Sequence, residues 1–174
     1  MDEIASDALQ ILPQVMMGYG KSVTLLTRGV IENALRHLYF IDHPIEFGRM
    51  NRETKWFVTV ESLLEYGKNH PVFFKIGAKY SAFDRISSLY SDLSAVVHGR
   101  TVNDLEMRVA LQKIVYEQTT ATRHANWIER AAEATNFLLA MLHQLQMEKF
   151  EQEDRRIILG SMPAIARSIW HEHE

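Results

Sequence analysis

The chain of 174 residues contains no cysteine. That excludes disulfides, thiolate zinc sites and cysteine nucleophiles, and it fits a reducing intracellular compartment. No apolar run approaches the ~20 residues that span a bilayer, and Met1-Asp2-Glu3 is acidic where a signal peptide would be basic. The expected location is therefore cytoplasmic, without membrane association. Basic charge is also scarce: 19 Lys and Arg against 22 Asp and Glu leave a net charge of -3. A protein that coats nucleic acid by charge needs the opposite sign, so any RNA contact has to be local. No glycine-rich phosphate loop, Gly-x-Ser-x-Gly or His-Glu-x-x-His occurs, and the common nucleotide-binding and hydrolase classes lose their support.

What is present reads as one soluble domain spanning 1-174. Apolar residues make up 47% of the chain and charged residues 24%, a balance that excludes wholesale disorder. Apolar positions recur at helical spacing throughout. Ile4, Ala8, Ile11, Leu12 and Val15 predict a first helix, with Asp2 and Glu3 at its positive end and a kink at Pro13. Gly18-Tyr19-Gly20 ends it. A long helix follows from Lys21 to Ile41, apolar over most of its circumference and therefore central, with Leu25 and Tyr39 expected on a polar seam.

Asp42-His43-Pro44 breaks that helix, and Ile45 to Tyr66 reads as a third, although Trp56 to Val60 is locally strand-like. Gly67 to Pro71 is a stop. The next helix carries Tyr90, Ser94 and His98 and ends at Gly99. Another is predicted from about Leu105 to Gln118, with Thr119-Thr120 dividing it from the longest. In that longest helix Ile128, Ala131, Thr135, Leu138, Leu142 and Leu145 alternate spacings of three and four. A solvated run, Glu151 to Arg156, and a short helix through Trp170 complete an all-α, antiparallel helical bundle.

Chemistry concentrates at two places. Tyr90, Ser94 and His98 recur every four residues beside the apolar stripe of Ile86, Leu89, Leu93 and Val97. On the central helix Arg28, Glu32 and Arg36 recur at the same pitch, so the carboxylate can pair with either guanidinium. Such a row is either a solvated salt-bridge face or a polar seam against a second helix. If the two rows meet, Glu32 can accept from His98 or Tyr90, and Arg100 just past Gly99 joins the candidate binding residues.

Leu26 to Phe40 and Leu89 to Gly99 together resemble the paired core helices of HEPN-like proteins of prokaryotic phage-defence and toxin-antitoxin systems. The branches in question carry a tyrosine, a leucine-serine pair and a histidine. The resemblance implies an antiparallel bundle, homodimerisation through the helices bearing the site, and metal-independent RNA cleavage or regulation of a partner, such as a protein encoded in the same operon. Catalytic HEPN ribonucleases place an arginine four to six residues ahead of the histidine. Counting back from His98, those positions hold Leu93, Asp92 and Ser91, so the in-line motif is absent there. Arg36 to His43 and Arg167 to His173 fit the spacing, but chance alone supplies roughly two such matches in a chain of this composition.

His98 is then either a structural group closing its helix, hydrogen-bonded to Glu32 or Tyr90, or a general base served by Arg28 or Arg36 from the central helix. The corresponding functions are a HEPN-like binding and assembly module with weak or partner-activated ribonuclease activity, a purely structural subunit, or a small-ligand enzyme using the same cluster. His171-Glu172-His173-Glu174 looks metal-like, but residues i and i+2 do not share a helix face, so no metal and no other cofactor is expected. His37 and His43 read as supporting or capping groups, and the eight methionines, Met16-Met17 included, as core or interface filler.

Overall fold

The computed structural model describes residues 1–74, 82–99 and 117–171, and there the three-and-four spacing is realised as ten helices. Those residues form α1 (Asp2–Met16), α2 (Gly20–Asp42), α3 (Pro44–Met50), α4 (Val60–Asn69), α5 (Pro71–Phe74), α6 (Ala82–His98), α7 (Gln118–Leu142), α8 (Gln144–Met147), α9 (Gln152–Gly160) and α10 (Ala164–His171). No strand occurs among them, and no described helix is long and apolar enough to cross a membrane.

Helix α2 is the axis, packed against α1, α4, α6 and α7. One side, Val23, Val30 and Ala34, meets Ile4 and Ile11 of α1. The other, Ile31, Leu35 and Leu38, enters the main core with Leu63, Phe83, Ile86, Leu89, Leu93, Phe137 and Trp170. Thr24 and Thr27 are buried as well, and their hydroxyls donate back to the carbonyls of Gly20 and Val23, at 3.0 and 2.8 Å. These local bonds let a polar residue sit in the packed face without an orphaned donor. Leu25 departs from its expected place: it is exposed rather than part of a seam.

Helix α6 runs antiparallel to α2. Its start is tied to α5 through the Phe73 and Phe83 rings and to the end of α4 through the Lys68–Asp84 ion pair. The end of α4 is tied in turn to Asp42 at the end of α2, while Tyr90, one half of α6 further on, meets Arg28 and Glu32. Gly99 closes α6 with φ 57°, the left-handed conformation a C′ glycine supplies. Gly18, with φ 73°, does the same between α1 and α2.

Three boundaries differ from the sequence-based expectation. Ile45 to Tyr66 is not one helix: α3 stops at Met50, and α4 begins only after Thr59, whose hydroxyl accepts from the Ser62 N–H as an N-cap. The β-branched run Val58-Thr59-Val60 and that cap favour an extended residue over a continued helix. Thr119-Thr120 divides nothing, because α7 begins at Gln118 and runs through both. Leu145 is exposed, since α7 ends at Leu142 and the change of direction at His143 breaks the phase of the stripe. The helix expected from Leu105 lies, apart from its end, outside the described residues.

Gly67 of α4 lies directly against the Phe83 ring of α6. A Cβ there would stand 2.1 Å from the Phe83 ring, which is itself buried. Gly67→Ala should therefore destabilise the fold by about 1–3 kcal/mol through overpacking. Gly160→Ala, with nothing within 4 Å of its Cβ, should be neutral or slightly stabilising. Urea titrations of the two variants compare them directly, and equal midpoints would contradict this packing.

Candidate functional site

A helix packed on most sides has little room for charge, and the polar arc of α2 lies where α6 covers part of it. Arg28 Nη2 donates to Tyr90 Oη at 2.5 Å, and its guanidinium carbon lies 4.9 Å from the Tyr90 ring centroid. Tyr90 Oη in turn donates to Glu32 Oε2 at 3.3 Å. Glu32 also accepts from Arg36 Nη2 at 2.6 Å and faces Arg28 at 3.7 Å. Arg28, Glu32, Arg36 and Tyr90 thus form one connected cluster across two helices. Burial pushes the Tyr90 phenol above its ordinary value, and although the Arg28 hydrogen bond pulls the other way, it stays protonated and able to donate.

Ser94, one turn beyond Tyr90, is 5% exposed. Its hydroxyl and Arg28 Nε are buried polar atoms without a hydrogen-bond partner among the described residues. Buried polar groups are ordinarily satisfied, so these two atoms on the facing helices mark where the seam has hydrogen-bonding capacity left.

His98 does not join the cluster. Eight residues past Tyr90 it lies ~12 Å further along the helix, and because α6 is antiparallel to α2 this carries it toward Gly20, away from Glu32. It is exposed and has no hydrogen bond or ion pair with a described residue. The equal pitch of the two rows brings one rung together, not three. Arg100 lies outside the described residues. Arg36 and His43, which fit the family's spacing, are engaged separately, Arg36 with Glu32 and His43 Nδ1 with the Tyr39 carbonyl at 2.8 Å.

Two further clusters escape sequence reasoning. At the end of α2, Asp42 accepts from Tyr66 Oη and, at 3.0 Å, from His70 Nε2. His70 Nδ1 accepts the Val72 N–H, which fixes the proton on Nε2 and satisfies both ring nitrogens. The Tyr66 hydrogen bond, helped by His70, holds the Asp42 carboxyl below its usual value despite its partial burial. Beside it His43 stacks on Tyr39 with ring centroids 4.1 Å apart, and Tyr39 donates to Glu46, its phenol pushed up to about 12 by burial and that carboxylate. These groups satisfy one another, which is the work of a clamp between α2, α3 and α4. The second cluster is His37 of α2 against His143, with Nε2···Nε2 at 2.8 Å. Partners 106 positions apart leave no local signal; the only hint is a histidine at the turn closing the longest helix.

Among the described residues no group of three His, Asp or Glu side chains is placed to hold a metal. No family model matches the chain, and no curated protein or solved structure shows significant similarity to it.

Removing the hydroxyl in Tyr90→Phe should cost about 1–2 kcal/mol, because Arg28 and Glu32 then lose their shared partner. In a double-mutant cycle with Glu32→Gln the losses should be non-additive by about 0.5 kcal/mol or more. Strict additivity would mean two independent surface contacts.

The histidine pair gives a pH signature. Burial, with the opposing ring and the amino terminus adding to it at His37, holds His37 below the ordinary 6.5, and burial does the same at His143. The unfolded chain binds protons near that value which the folded pair refuses, so stability falls as pH drops below it and recovers above. Denaturant midpoints measured from pH 8 to 5 should show this decline, and His143→Gln should flatten it.

Proposed function

We propose that this chain is a HEPN-like component of a prokaryotic phage-defence or toxin-antitoxin system, acting as a binding and assembly module. The observation that carries this is the Arg28–Tyr90–Glu32–Arg36 cluster between α2 and α6, the two helices on which the family resemblance rests. Two guanidiniums against one carboxylate leave the cluster one positive charge in excess, with unused capacity at Arg28 Nε and Ser94 Oγ. A partner carboxylate or an RNA phosphate meets the excess charge at Arg36, the more exposed of the two guanidiniums, because Arg binds such oxyanions through directed N–H donors.

Metal-independent ribonuclease activity is the second reading, favoured by the exposure of His98 at the end of the same helix. An accessible imidazole is suited to proton transfer at neutral pH. Partner activation fits the separation of His98 from the arginines: a partner or second copy would have to complete the constellation.

The unit proposed is a homodimer, and α1 supplies a surface for it. Leu9, Leu12 and Met16, at i, i+3 and i+7, are exposed on its outer side. The same helix lines an apolar groove of about 600 Å³ with Ile4, Ile11, Val15 and Ile128. Knobs and groove on one element are self-complementary, as a two-fold interface requires. The occupant proposed is therefore a second copy.

Incubation with total RNA, with and without a co-expressed operon partner and with His98→Ala as control, followed by end mapping, tests the catalytic reading. Cleavage that survives His98→Ala would remove His98 from it. Light scattering should give twice the 20.2 kDa of one chain, and Leu12→Asp should return the monomer. A monomeric wild type at micromolar concentration would sink the dimer.

A further inference from the structure

The chain's histidines are used in distinct ways. His70 engages both ring nitrogens, with Asp42 and the Val72 N–H, and His43 gives Nδ1 to a carbonyl of its own helix turn. His37 and His143 differ, because the one hydrogen bond each makes is with the other. Their ring centroids are 5.1 Å apart, which equals the 2.8 Å between Nε2 atoms plus one ring radius at each end. The two rings therefore point at one another along a single line. Bond-forming lone pairs that converge head-on define a digonal site, whereas a tetrahedral ion asks its ligands to converge at an angle.

The surroundings are soft. His37 lines a cleft of about 310 Å³ together with Met1 and Met50. His143 lines another of about 320 Å³ together with Met1 and Met147. The pair stands between two thioether-bearing clefts, in a chain whose only sulfur is methionine. The nearest guanidinium, Arg36, is paired with Glu32 at 2.6 Å, and Glu3 lines the His37 cleft. Among the described residues no group of three His, Asp or Glu side chains is placed to hold a metal, so the pair does not supply the four-ligand shell that zinc asks for. Digonal convergence of two imidazoles, beside clefts that methionines line, suits monovalent copper, which accepts both nitrogen and soft sulfur surroundings.

We propose that His37 and His143 form a two-coordinate site for a soft monovalent cation, copper(I), inserted between the two Nε2 atoms. The protons balance. In the free pair one Nε2 carries a proton and donates it to the lone pair of the other. On binding, that proton moves through solvent to Nδ1 of its own ring, both Nε2 lone pairs bind the ion, and no net proton is released and no redox change occurs. Two bonds of about 2 Å each span ~4 Å, so the rings separate by roughly 1 Å. His143 is the residue at which α7 ends, with φ -110° and ψ 35° outside helical geometry, and it can yield this distance without distorting a helix. The site is independent of the α2–α6 seam.

The test uses silver(I) nitrate, a redox-inert digonal analogue, added to the full-length ¹⁵N-labelled chain in chloride-free buffer. One equivalent should shift the Nε2 resonances of His37 and His143 together, ahead of every other histidine, while zinc(II) leaves both unmoved. His37→Gln or His143→Gln should weaken binding of that first equivalent about 100-fold or more. The proposal fails if the first equivalent goes elsewhere, such as the exposed Met16-Met17 pair, with both imidazoles unchanged. It also fails if His143→Gln, folded by circular dichroism, binds silver as tightly as the parent. Because the decisive shifts are read on the unsubstituted protein, they settle the matter even where a variant does not fold.

Discussion

Everything in this fold follows from the burial of α2. A helix enclosed by α1, α4, α6 and α7 must resolve each polar side chain it carries, and it does so in three ways. Thr24 and Thr27 return their hydroxyls to their own backbone. Asp42, at the exit, gathers Tyr66 and His70 from α4. Arg28, Glu32 and Arg36 are too large and charged for either solution, and they are left partly exposed at the edge where Tyr90 of α6 can cross over them. The cluster is thus what a central helix does with charges that it cannot fully bury.

The magnitudes separate this seam from a surface salt-bridge row. An exposed i,i+4 pair is worth about 0.3–0.5 kcal/mol and tolerates loss of either member. Here both Arg28 and Glu32 are about one-fifth exposed, and Tyr90 hydrogen-bonds to each. Removing one group leaves the others partly desolvated, and that penalty exceeds the gain the pair ever supplied.

The ends of α2 and the close of α6 were legible because glycine and proline act locally: Gly18, Pro44 and Gly99 stand where their backbone chemistry puts them. The polar row on α2 was legible for the same reason, since i,i+4 spacing is a local property. What periodicity does not encode is the direction and register of a neighbouring helix. Tyr90 and His98 sit on the same flank of α6 with equal claim on Glu32, and only the antiparallel crossing decides that Tyr90 reaches it. The split of Ile45 to Tyr66 was hidden by apolar residues that keep helical spacing across the break, Trp56 and Val60 among them, while Thr59 caps a new start. His37 was read only as a supporting group at the end of the central helix, and its pairing with His143 was not legible, because neither lies in a motif and their relation exists only once α7 has packed along α2.

That last pair also shows how differently one residue type is used once burial has set its surroundings. His98, solvated at a helix end, keeps an unconstrained imidazole fit for proton transfer or for nothing beyond solubility. His70, buried against a carboxylate and a backbone N–H, has its tautomer fixed and both nitrogens engaged, which makes it architecture. His37 and His143 are partly buried with no acid between them, so each satisfies the other, and a second facing proton would set two N–H donors head-on, one of them on a cation. A contact that holds one facing proton and rejects a second joins α2 to the α7–α8 junction. The junction is therefore the part of the molecule where occupancy by a single proton or a single soft cation is felt directly by the packing of the two longest helices.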